Sequence, residues 1–142
     1  MGLLGCGAAV VWVMALSLFD IRDRRLPNML TLPGAAVMVA VAAGSGRGLP
    51  AAAGALCLAG LYLAVHLAAP AAMGAGDVKL ALGCGALTGA FGADVWVLAA
   101  LGAPLLTAIV GVIAAVRGRS ATVPHGPSMC IASLSAATLA LA

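Results

Sequence analysis

Charged residues divide the chain into six apolar stretches. The stretches without Asp, Glu, Lys or Arg cover residues 2–19, 29–46, 48–76, 80–93, 95–116 and 120–142. A helix needs roughly 17 to 25 apolar residues to cross a bilayer. We therefore predict an all-α fold, a polytopic membrane bundle of six transmembrane helices in one domain over residues 1–142. The predicted spans lie near residues 2–19, 29–45, 50–69, 78–93, 95–116 and 126–142.

The fourth and sixth predicted spans are the shortest. Only Gly92, Ala93 and Asp94 separate the fourth span from the fifth, so we expect a tight helical hairpin there. Pro124 and Pro127 limit the start of the sixth span, because proline lacks a backbone N–H and interrupts helix interiors. The interiors of the spans are rich in Ala and Gly, which permit close helix packing in lipid.

Composition supports a membrane protein and argues against several other classes. The chain is 64% hydrophobic and 8% charged, with a mean hydropathy of +1.19, whereas soluble domains are about 25% charged. The net charge of +3 does not indicate nucleic-acid binding, because the basic residues are split among short loops. The four cysteines lack CxxC spacing, which argues against a zinc or redox motif and favours buried small side chains.

The basic residues predict the orientation of the chain in the membrane. With alternating spans, the loops on one side hold Arg22, Arg24, Arg25, Lys79, Arg117 and Arg119. The opposite loops hold only Arg47. Loops rich in Lys and Arg stay in the cytoplasm, so we predict that both termini lie outside. Asp20 and Asp77 then share the cytoplasmic face.

These two aspartates are the candidates for chemistry, and each also has a structural interpretation. Asp20 alone could be a solvated loop residue. Asp77 alone could be the N-cap of the fourth helix, since Gly76 and Asp77 precede an apolar run. A wider pattern favours chemistry: FDIRDRRLPN at residues 19–28, GAGDVKL at residues 74–80 and PHGP at residues 124–127 occur in this order.

These three motifs resemble those of the type IV prepilin peptidase family, intramembrane aspartic proteases with a GxGD motif. The resemblance covers essentially the whole catalytic domain. It implies that Asp20 and Asp77 are the catalytic residues and that Gly74 and Gly76 are the motif glycines. The neighbouring motif residues Lys79, Pro27 and Asn28 are candidates for substrate binding. The family has an aromatic residue in its last motif where this chain has His125.

The resemblance also implies a substrate and a location. It implies an endopeptidase of the bacterial inner membrane that cleaves the leader from prepilins or pseudopilins at the cytoplasmic face. Longer members carry an N-terminal region with paired CxxC motifs and also N-methylate the trimmed pilin. This sequence shows no such region, which predicts peptidase activity alone, as in the short members that serve Flp or tight-adherence pili. We expect no metal or other cofactor and no nucleic-acid partner, and the oligomeric state stays open.

Paired carboxyls suit peptide hydrolysis because one can activate water while the other holds a proton for the scissile carbonyl. Two like charges a few ångströms apart cannot both ionise cheaply, so the pair shares one proton. We expect Gly74 and Gly76 to adopt positive φ or to let an extended substrate approach. Lys79 could stabilise the charged pair or anchor at lipid headgroups.

Other functions remain open at this stage. A small transporter or structural subunit could use Asp20 and Asp77 as a proton relay or as helix caps, and an inactive peptidase homologue would carry the same motifs. Preflagellin peptidases and presenilin-like proteases share GxGD, although Phe19-Asp20 does not match the YD pair of the latter. His66 lies within the third span, where we expect it to pack or to form a hydrogen bond.

Overall fold

The computed structural model describes residues 3–23, 28–71, 73–118 and 123–141. Across these residues the chain forms six α-helices and no strand. In chain order the helices are α1 (Leu3–Asp23), α2 (Asn28–Gly44), α3 (Gly48–Ala68), α4 (Ala75–Gly89), α5 (Ala93–Val116) and α6 (Gly126–Leu139). The all-α prediction is confirmed, and each predicted span overlaps one helix. Pro27, Arg24, Arg25 and Arg119 lie outside the described residues, as does the side chain of Asn28.

The helix ends differ from the predicted spans at the positions that matter for the site. α1 continues past residue 19 to Asp23, so Asp20 lies in a helix and not in a loop. α4 begins at Ala75, three residues before the predicted start, and therefore contains Asp77. The predicted hairpin is present, because α5 follows α4 after a short turn in which Gly92 has a φ of 126°.

Two of the described helices, α3 and α5, are long and apolar enough to cross a membrane. Shorter apolar segments occur at Ala9–Asp20, Thr31–Gly44 and Gly126–Leu139. Much of α5 faces outward with apolar side chains, and Leu101 and Leu105 are 67% and 62% exposed. Such a surface suits contact with lipid better than contact with water. These helices support a membrane protein. Six transmembrane spans stay a prediction.

α4 is the central helix of the bundle and packs most extensively on α3. Small residues make that contact close. A Cβ on Gly54 would lie 2.5 Å from the carbonyl oxygen of Gly85 and 2.8 Å from the Cα of Gly89. The indole Nε1 of Trp96 in α5 donates to the carbonyl oxygen of Gly54 over 3.0 Å. Glycine in both helices therefore brings the two backbones together, as the Ala and Gly content predicts.

The interior of the bundle is apolar and built from several helices at once. Its main cluster joins Val13 and Leu16 of α1, Tyr62 of α3 and Leu80 of α4, among others. Cys84 and Cys130 are buried in this cluster, whereas Cys57 is exposed. The prediction of buried cysteines is thus correct for two residues and wrong for Cys57. The side chain of Cys6 lies outside the description.

Candidate active site

Asp20 lies in the last turns of α1, against the first turn of α6. Its side chain is only 9% exposed, so the solvated-loop interpretation is wrong. Its Oδ2 accepts a hydrogen bond of 3.1 Å from the backbone N–H of Gly126. Gly126 is the first residue of α6, and the N-terminus of a helix carries partial positive charge. The hydrogen bond and the helix N-terminus each favour negative charge on Asp20, whereas its burial opposes that charge.

Gly126 permits this contact only because it lacks a side chain. A Cβ at this position would overlap Oδ2 of Asp20 and would lie 2.9 Å from its Cγ. Real Cβ atoms do not approach other atoms so closely, so a side chain would displace the carboxylate. Sequence reasoning did not single out Gly126, although the PHGP motif that contains it carried the signal.

Asp77 lies in the first turn of α4, ahead of the apolar residues that we predict to enter the bilayer. The N-cap of α4 is Gly74 and not Asp77, so the N-cap prediction is wrong by three positions. Asp77 is the third residue of α4, and its Oδ2 accepts a hydrogen bond of 3.2 Å from the backbone N–H of the N-cap residue Gly74. Aspartate in the first turn also suits the positive end of the helix dipole.

The electrostatics of Asp77 link it to Asp20. The pKa of Asp77 is raised from 3.8 to about 6, mainly by burial and also by the nearby charge of Asp20, while the Gly74 hydrogen bond lowers it. The two carboxyl groups thus lie close enough to influence each other. This effect relates two aspartates that lie 57 residues apart in the sequence.

The two motif glycines lack the positive φ that was one of the two predicted alternatives. Gly74 has φ −74° and ψ 149°, an extended conformation open to any residue. Gly76 lies inside α4, and neither residue has a positive φ. A Cβ on Gly74 would meet Oδ2 of Asp77 at an ordinary 3.6 Å. The prediction of positive φ is therefore wrong, while the approach of an extended substrate stays a prediction. Lys79 lies in α4 and is partly buried.

Both histidines form hydrogen bonds near the candidate site. Nδ1 of His66 lies 2.7 Å from the carbonyl oxygen of Met73, which precedes Gly74. This confirms His66 as a hydrogen-bonding residue. His125 precedes Gly126 and contacts the hydroxyl groups of Tyr62 and Thr107. Neither Tyr62 nor Thr107 was a candidate in the sequence analysis.

Among the described residues no three His, Cys, Asp or Glu side chains gather closely enough to hold a metal ion. The chemistry available at this site is that of two neighbouring carboxyl groups, one on α1 and one on α4. One receives a hydrogen bond from a helix N-terminus, and the other has a raised pKa. Acid–base chemistry needs one group that accepts a proton and one that donates it, so these two environments are the observations on which a catalytic assignment can rest.

Comparison with known proteins identifies the family. No curated protein and no solved structure matches the chain. A family model described as the type IV leader peptidase family matches residues 7–141, nearly the whole chain, including Asp20, Asp77 and Gly126. The chain belongs to the type IV leader peptidase family.

Proposed function

We propose that this protein is an aspartic endopeptidase that removes the leader of type IV prepilins or pseudopilins, including those of the Flp or tight-adherence class. Membership of the family supports a peptidase of the prepilin type. The observation that carries the catalytic assignment is that the charge of Asp20 on α1 raises the pKa of Asp77 on α4. The excess of Lys and Arg on one side supports an active site at the cytoplasmic face of the inner membrane.

The environments of the two aspartates suggest different roles in the reaction. Asp20, hydrogen-bonded by the Gly126 N–H, is the base that takes a proton from water as its oxygen attacks the scissile carbonyl carbon. Asp77, whose pKa is raised to about 6, is the acid that gives its proton to the carbonyl oxygen. Asp20 then returns a proton to the leaving nitrogen as the C–N bond breaks, while Asp77 takes back the proton of the diol hydroxyl that becomes the carbonyl of the new carboxyl group. Each step uses only water and the two carboxyls. Two carboxyls can act as acid and base in this way when their environments give them different pKa values.

Cleavage of a prepilin by the purified protein tests this proposal. The substrate is a prepilin with its leader intact, and the enzyme is reconstituted in lipid vesicles. We expect Asp20→Asn and Asp77→Asn each to abolish cleavage, because an amide can neither accept the proton of water nor donate a carboxylic proton. Helix content by circular dichroism and a monodisperse gel-filtration profile should stay as in the wild-type protein.

Asp94→Asn is the matched control. Asp94 is exposed in the first turn of α5, and the 15 residues of α4 place the two ends of that helix roughly 20 Å apart. This variant should cleave normally. Retained cleavage in either of the two site variants would overturn the dyad. A wild-type protein that inserts but cleaves no prepilin would identify an inactive homologue and overturn the proposed activity.

A further inference from the structure

His125 joins three helices immediately beside the candidate site. Its Nε2 lies 2.9 Å from the hydroxyl of Tyr62 in α3, and its Nδ1 lies 2.6 Å from the hydroxyl of Thr107 in α5. The imidazole and the Tyr62 ring also pack at a tilt of 37°, with their centroids 5.6 Å apart. His125 itself is the N-cap of α6. One side chain thus connects α3 and α5 to the start of α6.

The hydrogen bonds define which nitrogen carries the proton. Thr107 has one hydroxyl proton, and it donates this proton to the carbonyl oxygen of Ala103 over 3.0 Å. Its oxygen must therefore accept from Nδ1–H of His125. Nε2 is then unprotonated and accepts from the Tyr62 hydroxyl. Burial lowers the pKa of His125, which agrees with a neutral ring that donates on one side and accepts on the other.

The position of His125 in the chain gives these bonds a consequence for Asp20. Gly126, the next residue, donates its N–H to Oδ2 of Asp20. The carbonyl oxygen of His125 also accepts the N–H of Met129 over 3.1 Å, so its backbone is held by the first turn of α6. Fixing the imidazole at both nitrogens restricts rotation of the peptide that joins His125 to Gly126. The direction of the Gly126 N–H is set by the same restriction.

We propose that His125 is a positioning residue, which aims the Gly126 N–H at Asp20 by donating from Nδ1 to Thr107 and accepting at Nε2 from Tyr62. We call His125, with its hydrogen bonds to Tyr62 and Thr107, the clamp. The proposal rests on the proposed function, because the clamp acts on Asp20, the proposed base. His125 does not touch the reacting atoms. Its contribution is to hold Asp20 in the place and charge state that the reaction uses, since catalytic groups misplaced by about 1 Å lose roughly 100-fold in rate.

A graded series of variants tests the clamp by its kinetics. His125→Phe keeps a ring against Tyr62 and removes both hydrogen bonds. His125→Asn keeps an amide donor near the Nδ1 position, and His125→Gln keeps an acceptor near the Nε2 position. We expect kcat for prepilin cleavage to fall roughly 10- to 100-fold in His125→Phe and less in the other two, with KM changed less than about twofold. A raised KM with an unchanged kcat would indicate substrate contact and overturn positioning.

Double-mutant cycles separate the clamp from a general loss of packing. Tyr62→Phe and Thr107→Val each remove one hydroxyl and should lower kcat in the wild-type background. Neither should lower kcat further in His125→Phe, because the bond it removes is already lost. Equal effects in both backgrounds would show that the three side chains act independently and would overturn the proposal.

Two nuclear magnetic resonance measurements on the intact protein need no activity and separate this proposal from the proposed function. The ¹⁵N shifts of His125 should show a protonated Nδ1 and an unprotonated Nε2, and the opposite tautomer would overturn the clamp. The Gly126 amide should change its shift in Asp20→Asn, and this change should shrink when His125→Phe is already present. An undiminished change would overturn the clamp even if the wild-type protein cleaves prepilin. Failure of cleavage with both signals intact would overturn the proposed function alone.

Discussion

The backbone N–H of Gly126 donates a hydrogen bond to Oδ2 of Asp20 over 3.1 Å and joins two residues 106 positions apart in the chain. The contact places the end of α1 against the start of α6. It gives Asp20 a hydrogen-bond donor that favours its charged form, whereas Asp77 has a raised pKa. The two aspartates of the candidate site thus differ in environment.

Gly126→Ala should remove activity without unfolding the protein. The new Cβ would overlap Oδ2 of Asp20, so the carboxylate must move away from the Gly126 N–H. We expect prepilin cleavage to fall roughly 100-fold, as for other misplaced catalytic groups. Gly111→Ala is the control, because a Cβ at that position in α5 meets no atom within 4 Å. Cleavage by Gly126→Ala at the rate of Gly111→Ala would contradict the geometry.

The stability of the protein should depend on the protonation of Asp77. Its folded-state pKa is raised from 3.8 to about 6, mainly by burial, so the folded state favours the protonated form. This contribution to stability is fully present below pH 3.8 and is lost as the pH rises through about 6. We expect the thermal unfolding midpoint in detergent to fall over this range, relative to Asp77→Asn measured under the same conditions. Asp94→Asn should keep the wild-type dependence, and a constant difference between the wild-type protein and Asp77→Asn would refute the prediction.

Cleavage should lose rate as the pH rises through about 6. In the proposed mechanism Asp77 gives its proton to the scissile carbonyl, and its pKa is about 6. The pH profile of kcat/KM reports the ionisation of essential groups in the free enzyme. We therefore expect a basic limb in this profile near pH 6, measured with the enzyme in lipid vesicles. A rate that keeps increasing well above this pH would show that protonated Asp77 is not the acid.

Gly54→Ala should destabilise the contact between α3 and α4. A Cβ here would lie 2.5 Å from the Gly85 carbonyl oxygen and 3.1 Å from Cδ1 of Trp96, so both helices must shift. Overpacking of this kind costs about 1–3 kcal/mol of unfolding free energy. Gly60→Ala in the same helix should have no such cost, because a Cβ at that position meets no atom within 4 Å. Equal unfolding midpoints for the two variants in detergent would contradict the close approach.

Local pattern was sufficient to predict the helices. Apolar stretches separated by Asp, Arg and Lys place each helix, because runs of this length and composition favour helix formation in or near lipid. The hairpin between α4 and α5 followed from Gly92, Ala93 and Asp94 in the same way. Helix ends were less accurate, since the last turn of α1 and the first turn of α4 contain charged residues that hydropathy assigns to loops.

For the site, the sequence by itself determined the two aspartates through their motifs, while only the tertiary structure decided what surrounds each one. Tyr62 and Thr107 have ordinary local contexts, and no spacing rule relates them to His125. Gly126 lies in the PHGP motif, but nothing local to that motif indicates a contact with Asp20. The contacts of these three residues join residues 63, 18 and 106 positions apart. Such contacts exist only when α1, α3, α5 and α6 meet, because hydrogen bonds act over about 3 Å while the pattern of a chain records only its own neighbourhood.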